Sequence, residues 1–181
     1  MSKRSYVAAA VALVFAVAAP AAVQAQSVYV GGGGLFGVGD FGDVTDPGFM
    51  GIAGLSFDLG ESGASVGVEG SYGQANGADI GDVEALPDVN VYSAMGYILY
   101  GFGDGEAIAP YVFGGAGLLG TDIDTTDTSA DGETEFGWQG GVGLDIPVGD
   151  RVGIFVEGRY MGSSDIDMLG LLAGLGIGLG G

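Results

Sequence analysis

The chain contains no cysteine and no histidine, and only 4 of its 181 residues are lysine or arginine. Each absence removes a class of function. Without cysteine there is no disulfide framework, thiol nucleophile or thiolate zinc site. Without histidine the commonest general base and metal ligand is missing, and with it any Ser-His or Cys-His dyad. Phosphate backbones are bound by lysine and arginine, so the shortage of both argues against a nucleic-acid partner. From Gln26 onward no stretch places apolar residues at helical spacing with caps. What the chain has in quantity is glycine, 40 residues, and acid, 23 residues, for a formal charge of −19.

Residues 1–25, MSKRSYVAAAVALVFAVAAPAAVQA, have the layout of an export signal. Lys3 and Arg4 form a positive start, Val7 to Ala19 an apolar stretch, and Val23-Gln24-Ala25 a small-residue cleavage site. The apolar stretch is shorter than the roughly 20 residues a spanning helix prefers, and Pro20 interrupts it. We expect a Sec signal peptide over 1–25 and one domain over 26–181. Cleavage would leave Arg151 and Arg159 against all 23 acids.

The remainder alternates with period two, the signature of strands with one apolar face. In 49–59, Phe49, Ala53, Leu55, Phe57 and Leu59 oppose Met50, Ile52, Gly54, Ser56 and Asp58. In 64–73, Val66, Val68 and Tyr72 oppose Ser65, Gly67, Glu69, Ser71 and Gly73. In 136–146, Phe136, Trp138, Val142, Leu144 and Ile146 oppose Gly137, Gln139, Gly141, Gly143 and Asp145. Residues 152–161 set Val152, Ile154, Val156 and Tyr160 against Gly153, Glu157 and Arg159, with Phe155 and Met161 as exceptions. The last run, from Leu169 to Leu179, alternates leucine with Gly170, Gly174, Gly176 and Gly178. Weaker alternation predicts strands near 27–39, 89–102 and 109–121, and the faces of 89–102 are not assignable. The predicted connections are long near 40–48, 75–88, 122–134 and 162–167, and short near 60–63, 103–108 and 147–151.

Eight strands with long connections at one end and short turns at the other fit an antiparallel up-and-down transmembrane β-barrel. In hydrocarbon every backbone N–H and C=O needs an internal partner, so the sheet must close on itself. A lumen only wide enough for side chains would suit a face rich in glycine. A soluble secreted or periplasmic barrel holding an apolar ligand has the same alternation with its faces exchanged. The smallness of the second face favours lipid outside, because a ligand cavity would want bulky walls.

The run Val91-Tyr92-Ser93-Ala94-Met95-Gly96-Tyr97-Ile98-Leu99-Tyr100, followed by Ala109-Pro110-Tyr111-Val112-Phe113-Gly114-Gly115-Ala116-Gly117, resembles a strand pair of small outer-membrane β-barrels. The group is the opacity-porin-like one, related to the OmpA transmembrane domain and OmpX. Phe136-Gly137-Trp138-Gln139-Gly140-Gly141-Val142-Gly143-Leu144-Asp145 and Val156-Glu157-Gly158-Arg159-Tyr160 resemble its later strands. The resemblance spans most of 26–179 and implies an eight-stranded barrel in the outer membrane, in contact with lipid and inserted by the outer-membrane machinery. The chain departs from the group in ending Leu179-Gly180-Gly181, where the group has an aromatic residue, and in carrying Glu157 where a smaller residue is common.

Other motifs are weaker. Gly32-x-Gly34-x-x-Gly37, with Asp58 about 20 residues on, matches a dinucleotide fingerprint, yet a turn-rich loop rather than a helix is expected after it. Gly115-x-Gly117-x-x-Gly120 matches equally well, so the pattern carries little here. Gly170-xxx-Gly174 keeps the period of its strand and is better read so than as a helix-dimer face. From Asp122 the acids fall at positions 1, 3 and 12 of a calcium-loop count, but position 6 is Asp127 where glycine is required. A solvated acidic loop is the expectation, with looser binding of divalent cations as the alternative. Counting Glu135 at the edge of the third, fifteen of the 23 acids lie in the four long connections, where they would form a negative canopy.

Charges on a lipid-facing strand cost several kcal/mol near the midplane, so Glu69, Gln139, Glu157 and Arg159 should face inward. They are the expected lumen ion-pair network, with gating of a small cation-preferring pore as the alternative role. Trp138 is placed at a membrane interface, where an amphipathic ring belongs. No catalytic residue, cofactor or metal ligand is assigned. The expectation is a monomeric, non-enzymatic barrel with a structural or surface-interaction role.

Overall fold

A computed structural model describes residues 27–78, 86–103, 108–123 and 134–179. The expected signal segment, most of the third long connection, and Gly180 and Gly181 lie outside them. Eight antiparallel strands form one closed barrel in sequence order. They are β1 Ser27–Val38, β2 Thr45–Asp58, β3 Ala64–Gly77, β4 Val89–Gly101, β5 Ala109–Ile123, β6 Thr134–Pro147, β7 Val152–Gly162 and β8 Asp167–Gly178. Closure is made by β1 and β8, paired without interruption from Ser27↔Gly178 to Val38↔Asp167. No sheet edge is left, as hydrocarbon demands.

Three boundaries differ from the expected ones. β2 begins at Thr45 rather than Phe49, because a register shift between Asp46 and Phe49 absorbs Pro47 and Gly48 and breaks the alternation. β3 runs on to Gly77 through Gln74 and Asn76, whose polarity hides a strand that has left the apolar band. β8 starts at Asp167, leaving residues 163–166 as a tight connection closed by a bond from Ser163 N to Ile166 O at 2.9 Å. The connection after β1 also holds a short helix, α1, at Asp40–Val44, where a loop was expected. Gly32, Gly34 and Gly37 lie within β1, paired on both sides or to β8, which leaves no phosphate loop. At the opposite end, Gly63 takes a left-handed φ of 74°, letting the β2–β3 turn close with Leu59 N on Ala64 O.

The alternation sorts cleanly across the wall. Outward stand Val30, Phe49, Val68, Tyr72, Ile98, Leu118, Phe136, Trp138, Val142, Leu171, Leu175 and Ile177, all exposed. In β4 the faces left open by the sequence are now assigned: Val91, Ser93, Met95 and Tyr97 point in, Ile98 and Tyr100 out. Outward aromatics gather toward both rims. Trp138 stacks on Tyr160 at 5.4 Å toward the long-connection end, and Tyr100 meets Phe102 edge-on at 5.0 Å near the short turns. Between these rims each strand carries a small outward residue: Gly32, Ala53, Gly70, Ala94, Ala116, Gly140, Gly158 and Ala173. Several are direct cross-strand partners, such as Ala53↔Gly70↔Ala94 and Gly32↔Ala173.

Inside, large residues are matched to glycine across the strand pairs. Tyr29 stands opposite Gly54, Tyr97 opposite Gly67, Tyr111 opposite Gly143, Phe113 opposite Gly141, Phe155 opposite Gly174 and Arg159 opposite Gly170. A Cβ built on Gly54, Gly67, Gly143, Gly141 or Gly174 would overlap the facing ring. Glycine on the inner face thus lets each ring lie flat across its neighbour strand in a lumen with no spare width.

Candidate functional site

The lumen has two unlike halves. Toward the long connections it is filled by Leu35, Met50, Val91, Met95, Leu119, Met161, Met168 and Leu172, all buried, with Leu35, Met161 and Met168 at 0% exposure. Every methionine after Met1 is in this plug. Methionine, unbranched and flexible, fills irregular gaps well. Toward the short turns the lumen is hollow, with a cavity of about 730 Å³.

The four residues picked from the sequence meet at the boundary between the halves. β3 supplies Glu69, β6 Gln139, and β7 both Glu157 and Arg159. Arg159 is 2% exposed, Gln139 3% and Glu69 4%. The guanidinium makes a fork to Glu69: Nη1 donates to Oε1, and Nη2 to Oε2 at 3.0 Å. Nε donates to Glu157 Oε1 at 2.7 Å, and Nη1 also reaches Gln139 Oε1 at 3.2 Å. The cation lies over the ring of Phe113, 5.2 Å from its centroid. Such a planar fork is what arginine offers and lysine cannot.

Two further residues were missed by the sequence reading. Tyr29 donates its hydroxyl to Glu69 Oε2 at 2.9 Å, and Tyr111 donates to Glu157 Oε2 at 2.9 Å. They supply the remaining hydrogen bonds that buried carboxylates require. Their signal was present, since Tyr29 and Tyr111 keep the inward parity of β1 and β5. Alternation there was too weak to show which parity was inward. One group is left over: Gln139 Nε2, buried and without a partner.

In this arrangement of acid, amide, guanidinium and phenol, every carboxylate oxygen accepts from a guanidinium or phenol donor. A closed barrel, an apolar outer face with aromatic rims and a charged interior together define a membrane barrel. The sequence matches the model of the outer membrane protein beta-barrel domain over residues 7–179. The chain belongs to that family. It is therefore a small barrel of the outer membrane, in contact with membrane lipid. Among solved structures it is similar to Neisserial surface protein A, at a TM-score of 0.68 and 16% identity, covering 84% of this chain and 96% of that one. It is also similar to the N-terminal barrel of Pseudomonas aeruginosa OprF, at a TM-score of 0.54 and 16% identity over 84% and 97% of the two chains. The Yersinia pestis protein Ail, solved in a phospholipid bilayer nanodisc, gives 0.51 and 17% identity over 84% and 98%. At these identities the likeness is one of fold. No curated protein matches the chain in sequence.

The acidic residues of the long connections are only partly within view. Asp79, Asp82, Glu84, Asp124, Asp127, Asp131 and Glu133 fall outside the described residues. Asp46, Asp122, Glu135 and Asp167 sit on strand ends rather than in loops. Asp88 accepts from Gln74 Nε2 at 2.8 Å and from Gly77 N at 3.2 Å, tying the end of one connection to β3. Among the described residues no three acids cluster as a metal site.

Proposed function

We propose that this barrel is an envelope protein that presents its acidic long connections at the cell surface, and that the Arg159 network serves as the barrel's internal strut. The observation that carries the reading is the filling of the lumen. An ion-pair cluster with every acid doubly satisfied lies beneath a plug of buried methionine, leucine and valine. A conducting role would need both layers to part. The charge of the long connections supports the surface role, since a dense negative canopy repels anions, draws divalent cations and keeps neighbouring barrels apart.

The absence of cysteine makes orientation directly testable. Asp127→Cys should react with a membrane-impermeant maleimide on intact cells, and Asp150→Cys only after the outer membrane is permeabilised. Labelling in the reverse order would overturn the surface assignment. In planar bilayers the purified barrel should give no discrete conductance steps. Cation-selective steps that change with Glu69→Gln would instead make the network the gate of a small pore.

A further inference from the structure

The hollow half of the lumen is bounded by the strut but not filled by it, and it is built like a ligand site. Its volume of about 730 Å³ is that of a pocket for a small molecule. It opens between the short turns, the periplasmic end in barrels of this plan. We infer that this cavity binds a small organic cation bearing a hydrogen-bond acceptor, admitted from the periplasmic side.

Three features specify that chemistry. The walls are aromatic: Tyr29, Tyr97, Tyr111, Phe113 and Phe155 all line the cavity. Ring faces attract a cation, and more strongly where water is excluded. Arg159 already uses Phe113 in this way. The mouth is acidic: among the described residues Asp58, Asp145 and Asp150 line it beside Arg151. Asp58 also accepts from Ser65 Oγ at 2.8 Å, and it acts here through its charge, together with Asp145 and Asp150. A cleft with low-dielectric walls focuses that field inward and keeps anions out. Finally, the inner end holds Gln139, whose Oε1 is taken by Arg159 and whose Nε2 is a buried donor with no partner. An acceptor carried by the ligand would satisfy it, and an unsatisfied buried donor is costly.

Three probes of one shape separate charge from shape: 2-amino-1-phenylethanol, a cation at neutral pH; neutral 1-phenylethanol; and anionic mandelate. Each is titrated into the full barrel in phospholipid nanodiscs, with binding followed by NMR shifts of the strand amides. The amine should bind saturably, about tenfold tighter than the alcohol, as one cation–π or partly screened ionic contact would give. Mandelate should not saturate. Shifts should fall on cavity-lining positions of β1, β5 and β7. Asp58→Asn with Asp145→Asn should narrow the amine's advantage over the alcohol severalfold, while the strand amide spectrum stays that of the folded barrel. Equal binding of all three probes by the unmodified barrel, no saturation by the amine, or shifts confined to the long connections would each overturn the inference. So would an amine preference that both substitutions leave unchanged.

Discussion

Arg159 joins three strands across the interior. Among the described residues it is the only cation within a strand body, and its four hydrogen bonds reach acceptors on β3, β6 and β7. Removing one member of a buried pair leaves the other charge uncompensated, at roughly 3–5 kcal/mol. Arg159→Met should therefore destabilise the barrel by about that amount in urea unfolding from detergent. The triple change Arg159→Met, Glu69→Gln, Glu157→Gln should recover most of the loss, because no charge is then stranded. A triple variant as unstable as the single one would show that packing, not charge, is what Arg159 supplies. Glu69, Gln139, Glu157 and Arg159 were legible in the sequence for a simple reason: polar side chains in the body of a lipid-facing strand have one affordable direction. Tyr29 and Tyr111 were not. A phenol is at home on either face, as Tyr72 and Tyr100 on the outside demonstrate.

The strand pair is the unit in which the interior is solved, each ring laid over a glycine on its neighbour. Gly143→Ala would drive a methyl into Tyr111, and overpacking of this kind costs roughly 1–3 kcal/mol. The expected signature is coupling. In the Tyr111→Ala background the same Gly143→Ala change should cost far less, with the cycle read by urea unfolding. Additive losses would mean that Gly143 serves its own backbone rather than the ring. Strands were legible where the two faces differ in character, as in β3 and β6. In β4 they do not differ: Val91, Met95 and Leu99 inside face Tyr92, Ile98 and Tyr100 outside. The cause is the apolar plug, which puts lipid-like residues on the lumen side of its strands and erases the contrast on which the reading relies. The start of β2 was hidden by Pro47 and Gly48, and the top of β3 by Gln74 and Asn76.

For the molecule as a whole, the assignment of faces decides between a membrane barrel and a soluble one, and it makes a quantitative demand. Val142 is 61% exposed near the middle of β6. In a bilayer Val142→Arg should cost about 2–4 kcal/mol, whereas the same change on a soluble surface would be nearly neutral. Refolding equilibria in phospholipid vesicles measure the difference directly. The belt of glycine and alanine around the outer wall adds a consequence for the lipid itself. With bulk at the two rims and little between, the barrel has the profile of a spool, and the ends of the acyl chains from both leaflets fill its waist. Sliding toward either side would bring a wide rim to the midplane and set the narrow waist beside the more tightly packed chain segments near the headgroups. The protein is thereby centred along the membrane normal by its shape, in addition to the aromatic residues that anchor its edges.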